Sequence, residues 1–212
     1  MKVEMCESLF YSWLRHVKEC QVVQTNWKIS SQWRLRNKEI ITGLMQASET
    51  LFHDRYGYRI YKKNTSLPQL LKQAEIDVVG ISIHNDGIRM YAVDVAFHEN
   101  GLNYGSREKT VSNIIKKMLR TAMCLYGYFD VKKAGIVFAS PKINMSVIHD
   151  FTPCLADINT LLRDHDLEFD VRLLANNEFE NAVLKPILIA SKGISDSSEL
   201  FLRSYQLCRM FP

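Results

Sequence analysis

Two aspartates lie in the predicted strands of a β-hairpin, at positions where apolar residues would be expected. The segments 76–83 and 88–97 are rich in β-branched residues, and an Asp-Gly dipeptide at 86–87 stands between them. This pattern is typical of a tight hairpin, because glycine accepts the positive φ that such turns require. Asp77 falls in the first strand and Asp94 in the second. The hairpin therefore predicts two carboxylates on neighbouring strands.

The position of the turn decides how closely these carboxylates approach. If the turn is 86–87, Asp77 faces Ala96 and Asp94 faces Val79. A shift of one residue sets Asp77 directly against Asp94. In both registers the two aspartates project from one face, since side chains alternate along a strand. Opposed residues lie about 5 Å apart and diagonal ones about 7–8 Å, so the two carboxylates are predicted to be near enough to share an ion.

Two acids on a buried face require compensation. Unpaired carboxylates repel each other and cost free energy unless a cation, hydrogen bonds or protonation offsets the charge. Mg²⁺ suits such a site, because it takes one or two carboxylates together with waters and phosphate oxygens. The alternative is that one aspartate ends a strand or pairs with Arg59, Arg89 or a nearby lysine.

The residues around these acids resemble a nuclease superfamily. Segments 74–79 (Ala-Glu-Ile-Asp-Val-Val) and 91–96 (Tyr-Ala-Val-Asp-Val-Ala) are similar to the second and third strands of the PD-(D/E)XK, or restriction-endonuclease-like, superfamily. Those strands typically read Glu-Ile-Asp and Glu-Val-Lys. A Tyr-Gly pair, a helix predicted over 106–126 and a strand over 134–139 then resemble the Holliday-junction-resolvase-like branch. The resemblance covers about residues 37–140.

This resemblance implies metal-dependent hydrolysis of phosphodiester bonds in DNA. Asp77 and Asp94 would be the two acidic ligands of one or two Mg²⁺ ions, with Mn²⁺ as a possible substitute, and the ions would activate a water. The preceding helix of the family often supplies a further acid. Glu49 is the preferred candidate because it lies nearer the strand, and Glu39 is the second. For either glutamate the alternative is a solvated helix face.

The departure from the family pattern is Ala96. The superfamily has lysine there, two residues after the second acid, to orient the attacking water. The next helix offers Lys109, Lys116 and Lys117, and Lys116 is the first candidate for a relocated catalytic lysine, since a long ammonium side chain can reach from a neighbouring element. These lysines otherwise form a polar face or contact phosphates, and His98 is a further candidate. Ala96 equally fits a catalytically degenerate nuclease-like domain that acts as a DNA-binding or protein-interaction module.

The whole chain reads as one α/β domain of 212 residues. We expect a central mixed sheet flanked by helices, in which amino- and carboxyl-terminal elaborations surround the nuclease-like core. Other predicted elements are helices over 3–17, 32 or 37 to 55, 66–73, 178–189 (interrupted at Pro186) and 200–211, and strands over 21–29, 58–61 and 169–174.

Composition limits the remaining possibilities. A net charge of +4 permits contact with nucleic acid. Five scattered cysteines without a Cys-x-x-Cys pair predict reduced thiols and neither a disulfide framework nor a structural zinc site. The first helix is amphipathic and resembles neither a signal peptide nor a membrane span, so a cytoplasmic protein without membrane association is expected.

Two further patterns concern apolar surface. Trp13, Trp27 and Trp33 alternate with basic residues, a mixture that can stack bases but more often anchors a core, and the core interpretation is favoured. The predicted last helix is so apolar that it must dock on the domain or on a partner, either a second copy or another protein.

Overall fold

A five-stranded mixed sheet forms the centre of the protein. The computed structural model describes residues 4–62, 66–85, 87–195 and 197–211. The sheet has the order β1-β2-β3-β4-β5. Its strands are β1 (Val22–Lys28), β2 (Glu75–His84), β3 (Gly87–Val95), β4 (Lys133–Ser140) and β5 (Glu168–Ala175). The predicted α/β class with a mixed sheet flanked by helices is confirmed.

The sheet changes from antiparallel to parallel at β3. Strand β2 runs antiparallel to both β1 and β3, whereas β4 runs parallel to both β3 and β5. Parallel neighbours need a crossover, and helices α4 (Arg107–Phe129) and α5 (Met145–Asp164) supply the two crossovers. The third strand therefore has the hairpin on one side and the first helical crossover on the other.

One face of the sheet is covered by four helices. Helices α2 (Lys38–Tyr56) and α3 (Leu67–Lys72) lie between β1 and β2 in the chain and pack with α4 and α5 into one cluster. Its fully buried members include Ile41, Leu44, Phe52, Leu71, Ile114, Leu119, Phe151 and Ile158. Because α4 is apolar along most of its length, it forms the centre of this layer and lies directly over β3 and β4.

The opposite face is covered by the first and last helices of the chain. Helix α1 (Met5–His16) packs there with α6 (Asn176–Phe179), a π-helical segment (Glu180–Leu184), α7 (Lys185–Ala190) and α8 (Leu200–Arg209). The second cluster includes Phe10, Leu14, Val78, Val93, Val183 and Leu202. The predicted last helix thus docks on the domain itself through Leu202, while a contact with a partner chain stays a prediction.

The hairpin register places Asp77 and Asp94 opposite each other. Val78 pairs with Val93 and His84 pairs with Gly87. This ladder corresponds to the register shifted by one residue, and the register in which Asp77 faces Ala96 is wrong. Asp86, one of the predicted turn residues, lies outside the described part of the chain.

Three local predictions need correction. The segment 58–61 is not a strand, because its backbone bends and the Tyr61 N–H donates to the Glu49 carboxylate (3.1 Å) rather than to a sheet. Helix α5 was not predicted, and Pro153 in its interior weakened the helical pattern. The helix predicted to break at Pro186 instead passes through the π-helical segment just before that proline.

Two of the three tryptophans lie in the core, as predicted, and the third does not. Trp13 and Trp27 are buried core residues, but Trp33 is 48% exposed. All five cysteines are free thiols, and of these Cys208 is exposed. None of the helices in the described residues combines the length and apolarity needed to cross a membrane.

Candidate active site

Asp77 and Asp94 meet where the β2–β3 ladder ends. The last paired residues of the ladder are Val78 and Val93, and Asp77 and Asp94 are the residues directly beyond them on the two strands. The charge of Asp94 acts on the pKa of Asp77, so the two carboxylates lie near each other. Asp77 Oδ2 accepts a hydrogen bond from the Val95 N–H at 2.6 Å. The aspartate side chain therefore takes the place of a backbone acceptor at the end of the ladder.

Asp94 is buried beneath α4. Its side chain is 2% exposed, and its Oδ2 accepts a hydrogen bond of 2.8 Å from the Thr121 hydroxyl. Its Oδ1 has no hydrogen-bond partner among the described residues. The Lys117 ammonium lies 3.7 Å from this oxygen, which is an ion pair but too long for a hydrogen bond. One oxygen of a buried carboxylate thus keeps its capacity to accept a ligand.

Burial makes both acids easier to protonate, and repulsion by Asp94 adds to this effect at Asp77. Burial raises the pKa of Asp77 to about 6, and the nearby charge of Asp94 adds to this, whereas the Val95 N–H opposes it. Burial likewise raises the pKa of Asp94, although Lys117 and Thr121 counteract part of the effect. Each carboxylate would gain from a further positive charge at this position.

Lys117 places a positive charge next to the buried Asp94 carboxylate. It lies four residues before Thr121 on α4, so both side chains extend from one helical face towards Asp94. Burial alone would lower the pKa of Lys117, but Asp94, Tyr104 and Asp77 outweigh it and leave that pKa above its usual value. The ammonium is therefore charged throughout the neutral pH range.

Two other groups border the pair and were not singled out in the sequence. Burial raises the pKa of Tyr104. The charge of Lys117 lowers that pKa, and the charges of Asp94 and Asp77 raise it, so Tyr104 lies near all three groups. Glu7 of α1 adds to the field that raises the pKa of Asp77. Neither residue belongs to the hairpin pattern, and only the packing of separate elements brings them here.

The other residues singled out in the sequence lie elsewhere. Glu49 borders a cavity with Tyr61, and Glu39 is exposed in the first turn of α2, so neither is among the principal charges acting on the two aspartates. Ala96 is buried, and His98 is exposed with its ring against Tyr104. The structure thus brings together two of the predicted acids and leaves both glutamates aside.

Lys116 belongs to a basic group beside the pair. Burial lowers the pKa of Lys116, and Arg120, Lys62 and Lys117 lower it further. Lys116 therefore lies in the field of other cations, whereas the Lys117 ammonium lies beside Asp94. Lys116 and Lys117 are one step apart along α4, and one step along a helix turns the side chain by about 100°.

The two carboxylates suit a hard cation only if waters or phosphate oxygens supply its remaining ligands. Among the residues that the structure describes, no three His, Cys, Asp or Glu side chains group closely enough to hold a metal ion. Mg²⁺, however, accepts as few as one or two carboxylates when waters or phosphate oxygens complete its shell. The Oδ1 of Asp94, which accepts no hydrogen bond, and the raised pKa of Asp77 fit such an ion.

The fold and this site define an α/β protein with a carboxylate pair and a lysine at a strand hairpin. Comparisons with protein-family models, with curated proteins and with solved structures found no match to this chain.

Proposed function

We propose that this protein is a metal-dependent DNA endonuclease with a PD-(D/E)XK-like core. The surroundings of Asp94 carry the proposal: one oxygen of this buried carboxylate accepts no hydrogen bond and lies beside the Lys117 ammonium, and a second carboxylate is close. The order of elements, a hairpin followed by a helix and a parallel strand, supports it as well. Such a constellation suits the hydrolysis of a phosphodiester.

Asp77 and Asp94 would hold the metal, Mg²⁺ or Mn²⁺. A bound ion supplies a water of lowered pKa and stabilises negative charge on the phosphate oxygens. Thr121 fixes one oxygen of Asp94 and leaves the other directed to a ligand. The Val95 N–H holds Asp77 in the same way. Both carboxylates are therefore oriented before a ligand arrives, which lowers the cost of binding.

Lys117 would take the role of the lysine that Ala96 replaces. Its charged ammonium lies beside Asp94 Oδ1, where it can orient the attacking water and stabilise charge developing on the phosphate. In the reaction, the water oxygen forms a bond to phosphorus and the bond to the leaving oxygen breaks. The water loses a proton, and the leaving oxygen gains one. Lys116 and Glu49, the predicted catalytic residues outside this pair, remain to be tested beside Lys117.

The experiment incubates purified protein with supercoiled, linear and branched DNA in Mg²⁺, Mn²⁺ or EDTA. We expect cleavage only with metal, and a loss of at least about 100-fold in Asp77→Asn, Asp94→Asn and Lys117→Ala. Lys133→Ala is the matched control, because that lysine is 77% exposed and begins β4, at the opposite end of the parallel strands from Val95. Circular dichroism verifies that each variant is folded.

Three outcomes would decide against parts of this proposal. Cleavage that persists in both aspartate variants, or in EDTA, would remove the carboxylate pair as the active site. Normal cleavage by Lys117→Ala together with a large loss in Lys116→Ala would move the lysine role to Lys116. A corresponding loss in Glu49→Gln would add that glutamate to the site.

A nuclease-like domain without activity is the second candidate, and one contact favours it. Lys117 already offsets part of the Asp94 charge, so the carboxylate is partly compensated without a metal. In that case the protein would bind DNA or another protein but would show neither Mg²⁺ binding nor cleavage. Titration calorimetry with Mg²⁺, followed by DNA binding in EDTA, separates the two candidates.

A further inference from the structure

A second surface, remote in sequence from the hairpin, presents an aromatic side chain to solvent. The segment between β1 and α2 carries Trp33, whose ring centroid lies 5.8 Å from that of Trp27 and 6.2 Å from that of Tyr128. Trp27 is 3% exposed, whereas Trp33 is 48% exposed. Trp33 is therefore the outer member of an aromatic group whose inner member is fixed in the core.

Trp33 borders a wide groove. Its lining includes Gln32, Trp33, Arg34, Arg36, Tyr128 and Phe129, and its volume is ≈ 800 Å³. This volume falls within the range of 300–1,000 Å³ that is usual for ligand sites. The groove therefore has room for a group as large as a nucleotide.

The segment that carries Trp33 is held in place by the end of α4. The Arg36 N–H donates to the Gly127 carbonyl at 2.8 Å, and the Asn37 side chain donates to Asp130 at 2.8 Å. Leu35 packs so closely on Gly127 that a Cβ there would lie 2.5 Å from its side chain. Because these contacts order the segment before any ligand binds, little conformational entropy remains to be lost on binding.

The groove is also positively charged. Arg34 is exposed and makes neither an ion pair nor a hydrogen bond with any residue in the described ranges. The Arg36 guanidinium is 64% exposed and lies 3.5 Å from an exposed Asp130 carboxylate, a type of pair that contributes little. Two guanidinium groups beside an exposed indole are suited to an anionic aromatic ligand.

We propose that this groove binds single-stranded nucleic acid, with an unpaired base stacked on Trp33 and backbone phosphates bound by Arg34 and Arg36. Stacking platforms bordered by basic side chains are the usual means of binding single strands. The bases of an intact duplex are enclosed in their stack and cannot reach such a side chain. This site does not depend on the carboxylate pair. If both proposals hold, the substrate contains an unpaired strand.

The test measures binding alone. A fluorescein-labelled oligothymidine of about 16 nucleotides, within the usual site size, is titrated with the full chain in EDTA, and anisotropy is recorded beside a duplex of equal length. We expect the single strand to bind more tightly than the duplex. Trp33→Ala should weaken binding about 5- to 100-fold, which corresponds to the loss of one stacked base. Trp33→Phe should restore most of the affinity.

The arginines give an independent readout. Arg34→Ala should weaken binding and reduce the slope of log affinity against log salt by about 0.7, as expected for the loss of one phosphate contact. Lys133→Ala again serves as the control of equal charge. Thermal melting verifies that the variants are folded.

Three results would overturn this site. One is equal affinity of Trp33→Ala and the unmodified protein for the single strand. Another is duplex binding as tight as single-strand binding. The third is capture of a proline-rich peptide by the groove with no binding of the oligonucleotide. Because EDTA is present and no cleavage is measured, failure here would leave the hydrolysis proposal unaffected, and loss of cleavage would not affect this one.

Discussion

Replacement of Asp77 by asparagine should make the protein more stable at neutral pH. Burial, and then repulsion by Asp94, raises the pKa of Asp77 from its usual 3.8 to about 6. The folded state thus holds the Asp77 proton more tightly than the unfolded state does. Stability is therefore lost as the pH rises through this interval. At 1.36 kcal/mol per pH unit, the loss amounts to about 3 kcal/mol.

The ionisable groups near Asp77 do not reverse this loss of stability with rising pH. The pKa of Asp94 is also raised, so its ionisation acts in the same direction. The pKa of Lys117 lies above its usual 10.5, and Lys117 therefore stays charged across the whole interval. An asparagine at position 77 has no proton to lose, and its carbonyl oxygen can still accept the Val95 N–H. The variant should match the unmodified protein near pH 4 and exceed it by up to about 3 kcal/mol at pH 7.5.

Urea unfolding followed by circular dichroism, in EDTA between pH 4 and pH 7.5, measures this difference. The free energy of unfolding is extrapolated to zero urea at each pH. Asp164→Asn is the control, because that aspartate is exposed at the end of α5 and the substitution makes the same change of side chain. A stability difference between Asp77→Asn and the unmodified protein that is the same at both ends of the pH range would refute the reasoning.

Addition of Mg²⁺ extends the same measurement. An ion that binds only the folded state stabilises it by about 2.7 kcal/mol at 100 times its Kd. The unmodified protein should recover stability at pH 7.5, and Asp77→Asn should not. Equal responses of the two proteins to Mg²⁺ would show that the ion binds elsewhere.

Three further predictions concern single positions. Thr121→Val removes the hydroxyl that donates to the buried Asp94 and should destabilise the fold by about 1–3 kcal/mol in urea unfolding. Gly127→Ala should lower the thermal midpoint, because the new carbon would lie 2.5 Å from a leucine side chain, whereas Gly43→Ala, with open space around it in α2, should not. The Cys208 thiol, which is exposed while the other four are buried, should be the one that reacts rapidly with a thiol reagent in the native protein.

The sheet could be predicted from local patterns. Alternation along 75–84 and 87–95 and the Asp-Gly dipeptide between them indicated the hairpin, and β4 and β5 appeared as short apolar segments. The register could not be settled, since one residue more or less in a turn leaves the alternation intact. Packing of the whole sheet decides between the two possibilities.

The carboxylate pair could be predicted, but most of its surroundings could not. Asp77 and Asp94 are close in sequence, and one turn brings them together. Thr121 and Lys117 come from a helix whose rotation about its own axis depends on how it packs against β3 and β4. The sequence pattern therefore favoured Lys116, one residue away from the lysine that points to Asp94.

The second cluster is completed by residues from both ends of the described chain. Helix α1 contacts α8, and Phe201 N–H donates to Ser8 Oγ across 193 positions of sequence. During synthesis α1 emerges well before α8, which forms part of its hydrophobic surroundings. Until α8 has formed, the apolar surface of α1 that faces it lacks this cover. Loss of α8 should expose the same surface.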